Sequence, residues 1–349
     1  MAIRNKLRNN TLFRMLYYGG KTAMQQYHEM RFNPFLYALR GGNNENRVLP
    51  YQLGDQYLFQ DRQKHHERLC IVLAGYSPEL WDGVFQRLHM FAPADTDVCV
   101  MTSGLESQYL MALCEKNGWS YLATKHNKLT RIQNLAIYLH PNARYIYKLD
   151  EDIFITKGFF DSLYRVYESA RCELFYEIGY VAPLIPVNGY GYVRVLERCG
   201  LLQDWEKHFG PAFFTDGKHH HTAILEQGAA AEYMWGKTQP VLRDLDTLAK
   251  RFLDFPLKYT ICPIRFSIGA IMFTREAWLD WGLFPVDWTA GLGLDEEHIA
   301  SWCLFQGKAA IISENTLVGH LAFGPQKETM MDYYKNHREY FEVNGSEEK

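Results

Sequence analysis

From residue 68 onward the chain alternates short apolar runs with longer amphipathic segments, and this alternation restricts the fold more than any other feature. Residues 69–73, Leu-Cys-Ile-Val-Leu, have the length and unbroken apolar character of a buried strand, and residues 78–90 follow with helical spacing. The same pairing recurs with strands at 97–101 and 120–124, helices at 105–117 and 129–139, and a further strand at 144–149. Strands alternating with helices of this length predict right-handed βαβ units on a parallel sheet. Such sheets bind ligands at the carboxyl ends of their strands. A helix at 159–170 and a strand at 181–185 continue the pattern, and residues 188–258, rich in Gly, Tyr and His, read as an irregular insertion. Regular signals resume with a strand at 266–273, a helix at 295–305 and a strand at 309–313. The tail from Pro325 reads as a closing helix with a disordered end at 345–349.

With 47% hydrophobic and 22% charged residues in 349, the chain carries enough apolar material for a substantial core. A net charge of -3 argues against a general nucleic-acid binder, whose basic footprint would dominate the total. Aromatic residues make up 15%, which suits stacking on sugar rings and also suits a large core. Seven cysteines without a CxxC pair predict reduced, buried thiols. No run approaches the ~18 apolar residues of a membrane span, and no signal-type apolar region opens the chain. These features predict a cytoplasmic protein. Residues 1–65 read as a basic, mostly helical extension, with a net charge of +6 over the first forty. Packing on the main domain is the first reading of those forty residues; peripheral attachment to an anionic inner membrane face is the second.

The most informative segment is Tyr145-Ile-Tyr-Lys-Leu-Asp-Glu-Asp-Ile153, where an apolar strand delivers Asp150, Glu151 and Asp152 to one point on the sheet edge. Clustered carboxylates repel one another unless a cation compensates them. Mn²⁺ or Mg²⁺ suits such oxygens and commonly shares its other positions with water and substrate phosphates. An acidic surface turn would carry the same residues. A second cluster, Asp295, Glu296 and Glu297, opens a later helix. Helix-dipole compensation explains it structurally, and a general base for an acceptor hydroxyl explains it chemically. His320 follows a late strand, where a neutral imidazole would complete a metal site begun by Asp152. The run His219, His220 and His221 lacks ordinary ligand spacing.

Taken in order, these segments resemble the GT-A glycosyltransferases, and family 2 within them, from about Arg68 to Gly324 apart from the insertion. Residues 129–134 look like the helix that precedes the metal motif, and Lys148 to Ile153 like the DxD strand end. Residues 266–278 resemble the strand and turn before the acceptor region, and Leu294 to Glu297 stand in the place of the ED motif, with Gly307 and His320 after it. The resemblance implies a Rossmann-like nucleotide-diphospho-sugar transferase fold, α/β with a mixed central sheet and helical extensions at both ends. It implies a catalytic domain over 66–324 and a C-terminal helix and tail over 325–349. The implied activity is metal-dependent, inverting transfer of a sugar from a nucleotide diphosphate, UDP first, to a glycan, glycolipid or other hydroxyl acceptor in surface polysaccharide or glycoconjugate synthesis.

By that resemblance Asp152 binds the metal and Asp150 binds metal or donor ribose. Either Glu296 or Asp295 is the base. Ala74, Tyr76, Thr102, Arg131, Asn134 and Glu151 would stand by the donor, and Trp288 and Gly269 by the acceptor. Two departures concern the base of the nucleotide: Met101-Thr-Ser103 has no acidic residue, and Ala74-Gly-Tyr-Ser77 replaces a Pro- and Asn-containing turn. A nucleotidyltransferase would place a Gly-rich basic loop after the first strand, and Ala74 to Pro78 has no basic residue. A non-catalytic sugar-binding module would have no need of the intact Asp150, Asp152 and Glu296. A metal-dependent exonuclease would need a basic groove.

Overall fold

The structure, a computed structural model, describes residues 50–215, 222–286, 293–321 and 324–343. Residues 51–349 form one compact unit. Its strands are β1 (Tyr57–Gln60), β2 (Arg68–Ala74), β3 (Thr96–Ser103), β4 (Ser120–Thr124), β5 (Tyr145–Asp150), β6 (Ile153–Phe154), β7 (Ile178–Leu184), β8 (Tyr259–Ile261), β9 (Ala270–Thr274), β10 (Ala309–Leu317) and β11 (Gly319–His320). Nine of them make one mixed sheet in the order β1-β4-β3-β2-β5-β9-β7-β10-β8. β4, β3, β2 and β5 run parallel, as the βαβ pattern predicts, and β9 enters antiparallel between β5 and β7. β7 and β10 are again parallel. The carboxyl ends of β2, β5, β7 and β10 therefore share one edge of the sheet with the start of β9. β6 and β11 form a small ladder at that edge, pairing Ile153 with His320.

Helices α1 (Trp81–Phe91), α2 (Gln108–Asn117), α3 (Leu129–Leu139) and α4 (Phe159–Glu173) connect the strands. α3 packs on β2, β3 and β4, while α4 packs on β7 and β10. α2 is capped by the Ser107 hydroxyl, which accepts from the Leu110 amide, and ends on Gly118 in the left-handed region. β2 is buried along nearly its whole length, consistent with its continuous apolar run.

Two expectations change. Residues 57–60, placed by the sequence in a helical extension, are a strand paired antiparallel with β4. Four residues with an exposed half carry too little alternation to be recognised. The described part of 188–258 is more regular than its composition suggests: it holds α5 (Gly191–Cys199), α6 (Leu202–Phe209), α7 (Gly228–Met234) and α8 (Leu245–Leu253). Helices of two turns show too few periods to stand out. Further on lie α9 (Arg275–Asp280), α10 (Leu294–Gln306) and the expected closing helix, α11 (Lys327–Asn336).

No helix among the described residues is long and apolar enough to cross a membrane. All seven cysteines are free, and five are buried. The basic N-terminal forty residues, the His219 to His221 run, Trp288 and the tail at 345–349 lie outside the described residues.

Candidate active site at the carboxyl edge of the sheet

A cavity of about 750 Å³ opens at this edge and is lined by residues from both acidic segments, Asp150 to Asp152 and Asp295 to Glu296, together with His320. Segments about 145 residues apart in sequence meet because β5 ends beside the start of β9, and the segment just before β9 carries Arg265, which pairs with Glu296. The Asp150 amide donates to the Gly269 carbonyl at 2.8 Å, which fixes that junction. A Cβ on Gly269 would lie 3.4 Å from Asp150 Oδ2 and 3.3 Å from the Ile153 side chain, so the close approach favours glycine.

Each carboxylate has a defined partner. Asp152 is buried, with Oδ2 lying 3.1 Å from His320 Nε2. Its Oδ1 is also buried and has no hydrogen-bond partner among the described residues. Burial works against protonation of His320, but the charge and hydrogen bond of Asp152, backed by Asp150 and Glu296, prevail and raise its pKa. Asp150 receives a hydrogen bond from Lys148 Nζ at 2.8 Å. Burial raises the Asp150 pKa against the pull of Lys148, and the charges of Asp152 and Asp295 add to the rise.

At the head of α10, Asp295 Oδ2 accepts from Gln133 Nε2 at 3.1 Å and Oδ1 from the Glu296 amide at 3.0 Å. Glu296 is ion-paired with Arg265. Burial pushes the Glu296 pKa up, Arg265 opposes this, and Asp295 reinforces it; the net direction is upward.

Among the other residues the sequence placed by the donor, only Tyr76 lines the cavity with an exposed side chain, and its hydroxyl donates to Asn127. Glu151 also reaches the cavity, but its carboxylate accepts from the Gly75 amide, the Tyr76 amide and Trp81 Nε1. It clamps the turn after β2, where Gly75 has a φ of 131° that favours glycine. Ala74 and Thr102 are fully buried away from the cavity, and the Thr102 hydroxyl bonds to Leu105 and Tyr121. Arg131 is buried in an ion pair with Asp55. Asn134 staples α3 to the segment after β9: Nδ2 donates to the Phe284 carbonyl, while Oδ1 accepts from Trp278 Nε1 and the Phe284 amide. Ala74, Thr102, Arg131 and Asn134 are thus placed within the fold and do not line this cavity. For Arg131 and Asn134 periodicity could not show this, since α3 is buried on nearly every side and its pattern cannot say which face meets a ligand. Ala74 and Thr102 lie at the ends of buried strands.

Asn134→Ala should accordingly lower stability by about 3 kcal/mol, because several buried polar groups lose their partners together. Urea unfolding measures this loss, and nucleotide affinity of the folded variant should be unchanged. A folded variant with normal stability and weakened nucleotide binding would restore the donor role.

Sequence reasoning missed Lys148, Arg265 and Gln133. Lys148 stood inside the quoted motif, and a lysine in an apolar strand two residues before a carboxylate, on the same face, is the signal that marks it. Arg265 and Gln133 had no comparable signal, since their partners lie far along the chain. No protein-family model matches this sequence, and no curated protein matches it either.

Proposed function

We propose that the chain is a metal-assisted glycosyltransferase of the GT-A type, moving a sugar from a nucleotide diphosphate to the hydroxyl of a glycan or glycolipid acceptor. The observation that carries this reading is the meeting of the two acidic segments and His320 around one cavity at the carboxyl edge of a mixed sheet. The resemblance of the motifs in order, and a sheet in which β9 runs against its parallel neighbours, support the same reading. UDP is the first nucleotide to test.

Among the described residues no three His, Cys, Asp or Glu side chains are arranged to hold a metal ion. A Mg²⁺- or Mn²⁺-type ion needs fewer, since it commonly takes one or two carboxylates and completes its shell with water and substrate phosphates. The buried, unpartnered Oδ1 of Asp152, beside an imidazole on the other oxygen, fits that demand. Asp152 and His320 would hold the ion, with Asp150 joining them. When bound, it would supply Lewis-acid stabilisation of the leaving diphosphate.

The protein's own groups do the rest. Glu296 takes the proton of the acceptor hydroxyl as its oxygen bonds to the anomeric carbon and the bond to the diphosphate breaks. Its raised pKa brings it nearer the operating pH, as a general base requires. Asp295, engaged through both oxygens, orients the head of α10 instead.

Calorimetric titration with UDP, GDP, CDP and dTDP, with and without Mn²⁺, tests the reading. One nucleotide should bind in a metal-dependent manner, and Asp152→Asn should weaken it by at least about tenfold. Binding of none of the four in the presence of metal would leave a sugar-binding module or an acidic structural turn.

A further inference from the structure

Lys148 is the one lysine on β5, and its side chain is almost wholly buried at 2% exposure. Strand alternation puts it on the same face as Asp150. Its Nζ donates to Asp150 Oδ1 at 2.8 Å and to the Ile268 carbonyl at 2.9 Å, and the side chain lines the cavity. An ammonium held inside a sheet is costly unless opposite charge compensates it. This sheet holds it where four carboxylates gather. Asp152 lies against His320, Glu296 against Arg265, and Asp295 accepts from Gln133. Asp150 has Lys148.

Resting on the transferase reading of this cavity, we infer that Lys148 is a built-in counter-cation that competes with the divalent ion for Asp150. It is a positioning residue. Before metal arrives it keeps the Asp150 carboxylate ordered, and its charge lowers the affinity of the site for a second cation by like-charge repulsion. Removing the charge leaves the carboxylates under-compensated, so a divalent ion should bind more tightly. The same change should weaken an anionic diphosphate in the absence of metal. A lysine that merely supports the fold predicts the opposite for the metal, because a loosened site binds everything less well.

Mn²⁺ alone, titrated by calorimetry and by its electron paramagnetic resonance signal at fixed ionic strength, separates these outcomes. Lys148→Met should bind Mn²⁺ about tenfold more tightly than the parent, equivalent to about 1.4 kcal/mol. Lys148→Arg should stay near the parent, because the charge is kept. In the Asp150→Asn background the gain from Lys148→Met should shrink at least severalfold, to what like-charge repulsion alone supplies. Should the Met variant not fold, Lys148→Gln removes the charge while keeping a hydrogen-bond donor, and it should show the same gain. Equal or weaker Mn²⁺ binding in a folded uncharged variant, or a gain undiminished by Asp150→Asn, overturns the inference. Because the readout needs no nucleotide, tighter Mn²⁺ binding together with no binding of any nucleoside diphosphate would remove the transferase reading and leave the competition standing.

Discussion

Glu296→Gln should lower kcat for sugar transfer by roughly 10²- to 10⁴-fold, the usual contribution of a positioned general base. Affinity for the nucleotide diphosphate should stay within about threefold, because the amide keeps the size and place of the carboxyl while losing its basicity. Glu296 and Asp295 both line the cavity; the oxygens of Asp295 accept from Gln133 and from the head of its own helix, whereas Glu296 is held by Arg265 and the Ile268 amide at the cavity wall. The pH dependence follows from the same surroundings. Burial raises the Glu296 pKa, Arg265 restrains the rise and Asp295 adds to it. Only the ionised form can take a proton, so activity should fall on the acid side at a pH above the ordinary glutamate value. Steady-state rates across pH check this, and the acid limb should be absent from the residual activity of Glu296→Gln. Asp295→Asn supplies the contrast. If it abolishes turnover while Glu296→Gln retains it, the base is Asp295. Thermal melting guards against a trivial cause, since the variant leaves Arg265 facing a neutral amide.

How far the sequence reaches depends on which interactions define each element. The segments at 120–124 and 129–139 carry their own signals, an apolar strand and a buried helix, and both occur at those bounds. The helix expected at 105–117 begins at Gln108, because the Ser107 hydroxyl caps it there. The β5 motif reaches the cavity as expected because a strand end aims its last residues at the sheet edge. Roles that depend on remote partners were beyond such reading. Asn134 bonds to Phe284, 150 positions away, and Glu151 to Trp81, 70 positions back. Neither bond leaves a local pattern, so both residues read as donor ligands. Buried ion pairs between elements remote in sequence escape detection for the same reason.

One such pair is at Glu314, on β10, and Glu314→Gln should destabilise the protein by about 3 kcal/mol, the lower end for breaking a buried ion pair from one side. The carboxylate is 1% exposed. It receives Arg198 Nη2 at 2.8 Å and Lys258 Nζ at 3.0 Å, with Arg194 Nε 3.7 Å away. Arg194 and Arg198 belong to α5, which begins just after Asn188 and Tyr190 in the cavity wall. The partners keep some contact with water, which is why the low end of the range applies. Burial alone would raise the Glu314 pKa, but the hydrogen bonds from Arg198 and Lys258 and their charges outweigh it and hold it below the ordinary glutamate value. A carboxyl with a depressed folded pKa contributes its full stability above the unfolded pKa, about 4.3, and loses it as pH falls through the folded value. The gap between parent and variant should therefore be constant from neutral pH down to about 5 and close progressively below about 4. At that point the protonated Glu314 of the parent and the neutral amide of the variant are electrostatically alike. Urea midpoints measured from pH 3 to 7 test this. A gap that is independent of pH would mean that the side chain packs α5 against β10 by shape alone, and that the cavity wall owes nothing to its charge.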